Sequence, residues 1–160
     1  MAQTARHFGD YKMGLRAAVE EEYMGEALFD TLAGYHDGTA RQAFLLMAEI
    51  ERAVIEATMP AIRRNHLRLR DAESLRAEGR AEAEAMRDLS WQDFLNHVVT
   101  DYPAFLEEFE QVARLAPPLD AAEAQLLFDH EVAFIDFAAC CLHGDPDCNS
   151  VLDRFLARVK

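Results

Sequence analysis

Apolar residues recur every three to four positions through four long stretches of the chain, the period of helices with one buried face. The first predicted helix runs from about Met13 to His36 and carries Leu15, Ala18, Val19, Gly25, Phe29 and Ala33 on its apolar stripe. His36-Asp37-Gly38 ends it, and Thr39 is placed to cap the next. The second runs from about Ala40 to His66 along Phe44, Met47, Ala48, Val54, Ile55 and Ile62, with a kink expected at Pro60. Ser90 followed by Asp93 resembles a capping box and opens a third helix at Trp91. That helix ends near Leu115, before Pro117-Pro118, and Pro103 is expected to bend or split it. Asp120 with Glu123 starts a fourth, which runs to His143 and stops at Gly144.

Three segments lie outside this set. Residues 1–12 read as an N-terminal arm. Residues 67–89 are rich in Ala, Glu and Arg and read as a polar helical crossover, with Gly79 as its weak point. Residues 146–160 hold a short tail helix whose apolar face either closes the bundle or meets a second subunit. No strand-period run is bounded by turn signals. The expectation is a single all-α domain over residues 1–160, a four-helix bundle with one long crossover and a short C-terminal helix.

Three of the four stripes are interrupted by ionisable residues. Glu22 lies mid-stripe on the first helix, with Glu26 one turn on; Glu51 lies mid-stripe on the second; His130 lies mid-stripe on the fourth. The third carries only the Tyr102 phenol at its centre. An isolated carboxylate in such a place costs several kcal/mol or shifts until it is neutral. Carboxylates and an imidazole converging in one layer can instead hold a cation. The opposing reading is a polar core satisfied internally, the carboxylates by arginine, by tyrosine or by each other and the histidine by a hydrogen bond, with Arg16 and Arg52 as available partners.

Composition narrows the options. The 160 residues are 51% apolar and 28% charged, which suits a globular domain with a real core. A formal net charge of −13 disfavours nucleic acid and anionic membranes as partners. No window has the apolar length of a membrane span or a signal peptide, so a cytoplasmic location is expected. Cys140, Cys141 and Cys148 are expected to be reduced thiols. With His143 they form a thiol–imidazole cluster by sequence, but the adjacent Cys140 and Cys141 point about 100° apart on a helix, so one core and one surface cysteine are expected in place of a zinc site. His97 and Asp101, four apart, form a surface pair or a weak acid–base pair.

The segment MGEALF, residues 24–29, resembles the start of the rubrerythrin and ferritin-like pattern. AEIERAVIEATMPAI resembles the second helix of that superfamily, and HEVAFIDF followed by HGD resembles the last helix of its small bacterial members. The resemblance implies a ferritin-like bundle with metal ligands at Glu26 and Glu51, whereas the helical wheel favours Glu22 over Glu26. It does not supply the full ligand set, because the chain contains no Glu-x-x-His. The expected site is therefore a reduced one of Glu22, Glu26, Glu51 and His130, holding iron, manganese or zinc. Tyr102 and Phe134 are candidate contacts for a bound small molecule. The alternatives are a metal-free structural or interaction bundle, dimeric in either case, and a pocket for a small apolar ligand among Phe29, Phe44, Phe134 and Phe137.

Overall fold

A computed structural model describes residues 4–160. The helices are α1 (Tyr11–Ala33), α2 (Gly38–Arg64), α3 (Ala72–Ala85), α4 (Trp91–Leu115), α5 (Ala121–Leu142) and α6 (Asn149–Val159), with one 3-10 turn at Pro118–Asp120. There is no strand among the described residues. Among them, no helix is long and apolar enough to cross a membrane.

Local chemistry sets the ends of these helices. Asp10 caps α1 by accepting a hydrogen bond from the Met13 amide at 2.9 Å, so the helix starts earlier than the apolar period alone indicates. Asp71 caps α3 in the same way through Ser74. Ser90 accepts from the Asp93 amide at 3.1 Å and donates to the Asp93 carboxylate at 2.6 Å, so the serine caps the helix while the acid bonds its hydroxyl, where a capping-box glutamate would take the backbone amide. Thr39 is not the cap of α2: the helix already begins at Gly38, whose φ of 57° lets the chain turn sharply out of Asp37. Pro60 and Pro103 both lie inside continuous helices, so Pro103 does not split α4.

Helix α1 packs against α2 and α4, and α5 packs against the same two, which makes a closed bundle. Helix α3 lies on the outside of α1, and α6 covers α2 and α5. The centre is filled by Phe29, Phe44, Phe94, Phe134 and Phe137 with Leu15, Leu32 and Met47, all fully buried. Phe29 meets Phe134 edge-on at 5.5 Å and Phe44 meets Phe94 at 4.7 Å.

Gly79 is a point of closest approach rather than a weak point. A Cβ there would run into the Met24 carbonyl of α1, so only glycine lets α3 lie this close. The approach also brings Arg76 of α3 onto Glu26 of α1, with Nε donating at 2.9 Å. Gly79→Ala is expected to lower stability by about 2 kcal/mol, because backbone cannot swing aside as a side chain can. A denaturation midpoint checks this. Helix propensity alone predicts the opposite sign, since alanine is the better helix former by about 1 kcal/mol.

The cysteine expectation is corrected. Cys141 and Cys148 form a disulfide, and Cys140 alone is free. Gly144, at φ 83°, reverses the chain after α5, and the returning segment brings the two Cα atoms to 5.2 Å. The half-buried Cys140 thiol donates to Asp145 at 3.3 Å. Two of the three sulfurs are therefore committed to each other and unavailable as zinc ligands.

Candidate metal centre

Glu22 on α1, Glu51 on α2 and His130 on α5 meet inside the bundle, each 4% exposed or less. They face one another because each occupies the middle of its helix's apolar stripe. His130 Nε2 lies 3.1 Å from Glu22 Oε2, 3.6 Å from Glu51 Oε2 and 3.4 Å from Glu131 Oε1. One donor atom from each of Glu22, Glu51 and His130 falls within 4.8 Å of the other two, so these three could hold a metal ion.

The histidine is oriented from behind. His130 Nδ1 lies 2.6 Å from the Leu127 carbonyl. A carbonyl can only accept, so Nδ1 carries the hydrogen, and Nε2 is the nitrogen turned to the carboxylates, free to offer a lone pair when the ring is neutral. The Phe109 and Phe134 rings flank the imidazole edge-on at 5.4 and 5.3 Å and fix its plane. Glycine shapes the other side: a Cβ at Gly25 would collide with the Glu51 carboxylate. The glycine of the Gly25-Glu26 pair therefore makes the room that Glu51 occupies.

This cluster lacks the partners that buried charges need. Glu22 Oε2, Glu51 Oε2, Glu131 Oε2 and His130 Nε2 are all buried with no hydrogen-bond partner. Burial, and then the Glu51 carboxylate, push Glu22 well above the ordinary carboxylate range. Burial raises Glu51 to about 7, against the lowering effects of the adjoining Glu22 carboxyl and the charge of His130. Burial alone would lower His130, but the adjoining Glu131 carboxylate, with the charge of Glu51, outweighs it and the net direction is upward.

Glu26 is held apart from this group. Arg52 Nε donates to its Oε1 at 2.8 Å and Arg76 Nε to its Oε2 at 2.9 Å, so both oxygens are taken by guanidinium groups. An arginine partner is thus found for Glu26, through Arg52, and not for Glu22 or Glu51, whose nearest cationic side chain is His130. Arg16 pairs with Glu20 instead. Phe134 lies against His130, while Tyr102 borders a cavity of about 590 Å³ that reaches Glu22, Glu51 and Glu131. Burial, then the charges of Glu131 and Glu51, push the Tyr102 phenol upward, so it stays a neutral donor. His97 borders the same cavity, with Nδ1 held by Asp101 at 2.6 Å.

No family model, curated protein or solved structure matches this chain.

Three buried acids were missed in the sequence: Glu131, Glu108 and Asp120, which stands at the start of α5 but gives it no side-chain cap and is held by Arg64 and Asn65. Glu131 follows His130 directly, which on a helix places it about 100° around the axis and off the stripe; its carboxylate nonetheless reaches Nε2. Glu108 is buried on α4 and bonded by Arg6 of the N-terminal arm, whose amide donates at 2.6 Å and whose Nε donates at 3.0 Å. The available signal was its spacing, three after Phe105 and four before Val112, which are apolar-face positions. Nothing in the sequence pairs it with Arg6.

Proposed function

We propose that this protein is a ferritin-like bundle that binds one divalent transition-metal ion on Glu22, Glu51 and His130, with a small molecule reaching that ion through the adjoining cavity. The ring of contacts among α1, α2, α4 and α5 supports the four-helix reading, with α3 as the crossover and α6 as the tail helix. The observation that carries the metal reading is the set of buried donor atoms with no partner of their own. Three of these orphaned atoms, on Glu22, Glu51 and His130, lie at one point and are expensive in a bare protein, and a cation satisfies the three together.

The donor set suits iron, manganese or zinc: imidazole nitrogen with carboxylate oxygen is common to all three, and no thiolate is present to favour a softer ion. Atoms bonded to one such ion at about 2.1 Å lie no more than about 4.2 Å apart. Small rotations of the two carboxylates close the observed spread. A bound iron or manganese ion supplies one-electron chemistry, and two carboxylates and one imidazole leave positions for an oxidant. The chain's own groups do the rest. Leu127 holds the imidazole tautomer, Phe109 and Phe134 keep water from its faces, and Tyr102 holds a proton beside the cavity.

Elemental analysis after exposure to iron, manganese or zinc and removal of loose ions tests this. About one equivalent of one of these metals per chain is expected, falling to background in His130→Ala. A protein that retains none of them, or a His130→Ala variant that retains all of it, contradicts the proposal.

A further inference from the structure

The cavity beside the metal ligands has a charge that ion binding alone does not use. Eight glutamates border it, against two arginines and one histidine. Both arginines are already paired, Arg6 with Glu21 and Glu108 and Arg70 with Glu78. Glu131 decides what the cavity invites. Its residue is 7% exposed, its Oε2 has no partner, and it forms part of the cavity wall. A buried, unpartnered carboxylate oxygen in the wall of a cavity is best satisfied, after a small rotation of its carboxylate, by a cation with hydrogens to donate.

The neighbouring wall is apolar. Leu28, Phe29, Tyr102 and Phe105 border the same space, and three of them present aromatic rings. Aromatic faces attract organic cations, which shed water more readily than metal ions do. The chain itself already places one organic cation here. The guanidinium of Arg6 enters the cavity from the N-terminal arm, bonds Glu108 at 2.6 Å and also reaches Glu21, and its carbon lies 5.4 Å from the Phe8 ring centre.

We infer that the cavity binds a small organic cation, a primary amine with an apolar body, its ammonium on Glu131 and its body against Phe29, Tyr102 and Phe105. This names the ligand class of the site proposed above, and rests on that reading in assigning Glu22 and Glu51 to the ion. An anionic ligand of the same shape meets the same eight glutamates with no unpaired arginine to offset them, and is disfavoured by charge.

Calorimetric titration of the whole protein, metal-free and then manganese-loaded, tests this with two ligands of matched shape, phenethylamine and 3-phenylpropionate. The amine is expected to bind tighter than the carboxylate by roughly tenfold or more in both forms. Glu131→Gln, which keeps the side chain's size, is expected to weaken amine binding by roughly tenfold. Equal affinities, tighter binding of the carboxylate, no binding of either, or a Glu131→Gln variant with unchanged amine affinity overturns the inference. Metal content, measured on the same samples, separates the two readings. Amine preference without metal uptake leaves this inference standing and removes the metal reading; metal uptake without amine preference does the reverse.

Discussion

Glu51→Met is expected to abolish metal binding and to stabilise the metal-free protein. The two effects have one cause. Glu51 is 4% exposed, is pushed up to about 7, and has a buried oxygen without a partner. Measured from its ordinary value of 4.5, that displacement costs about 3 kcal/mol at neutral pH in a protein without the ion. Methionine has a similar length, fits the space left by Gly25, and carries neither the charge nor the unsatisfied oxygen. A gain of about 2 kcal/mol is expected, because apolar replacement of buried ionic groups is commonly neutral or stabilising. Metal affinity should fall by at least about a hundredfold, since losing even an outer-shell partner costs up to that much. Denaturation in chelator and metal titration, run on the same variant, check both signs. A destabilised variant in chelator would mean that Glu51 already has a partner within the protein.

Acidity should affect the metal-free protein in the opposite direction from most acidic proteins near neutrality. Glu22, Glu51 and His130 are all raised in the folded state. A group raised on folding holds its proton more tightly in the native state than in the unfolded chain. Its contribution to stability is complete below the unfolded value and is lost as pH rises through the folded one. For Glu51 that window runs from about 4.5 to about 7, and the loss across it is about 3 kcal/mol. Glu22 and His130 add to it with the same sign. Asp71, Asp120 and Asp145 are lowered, by hydrogen bonds for Asp71 and Asp145 and by the Asn65 and Arg64 bonds outweighing burial for Asp120. Their contributions are lost only as pH falls below the ordinary carboxylate range. The metal-free protein should therefore be most stable in mildly acidic solution. A bound ion keeps the carboxylates ionised and the imidazole neutral, so in the loaded protein the slope across the same window reverses. Denaturant midpoints across this range, with chelator and with metal, measure both slopes. Glu51→Met should flatten the metal-free one, which separates the cluster's effect from general repulsion in a chain of net charge −13.

The helices were legible because their signals are local. Periodicity, the Ser90 cap and the stop at Gly144 all act within a few residues, whereas α1 ends at Ala33, before the expected stop, and Gly38 opens α2. Glu22, Glu51 and His130 were legible for the same reason: a charged residue in the middle of an apolar stripe must face inward, whatever packs against it. Glu26 was less clear because it lies at the stripe's edge, where Arg52 and Arg76 reach it from two other helices. Glu131, Glu108 and the cavity depend on how helices sit beside one another. The tight seat of α3 on α1 at Gly79 and the path of Arg6 to Glu108 leave no period in the sequence. The disulfide was missed because it depends on the reversal after Gly144, not on cysteine spacing alone.

Anomalous scattering from a crystal grown with manganese or zinc tests the central claim most directly. A single strong peak is expected between α1, α2 and α5, within bonding distance of one oxygen each of Glu22 and Glu51 and of His130 Nε2. A crystal that takes up the metal elsewhere, and leaves those three side chains bonded only to one another or to water, contradicts it.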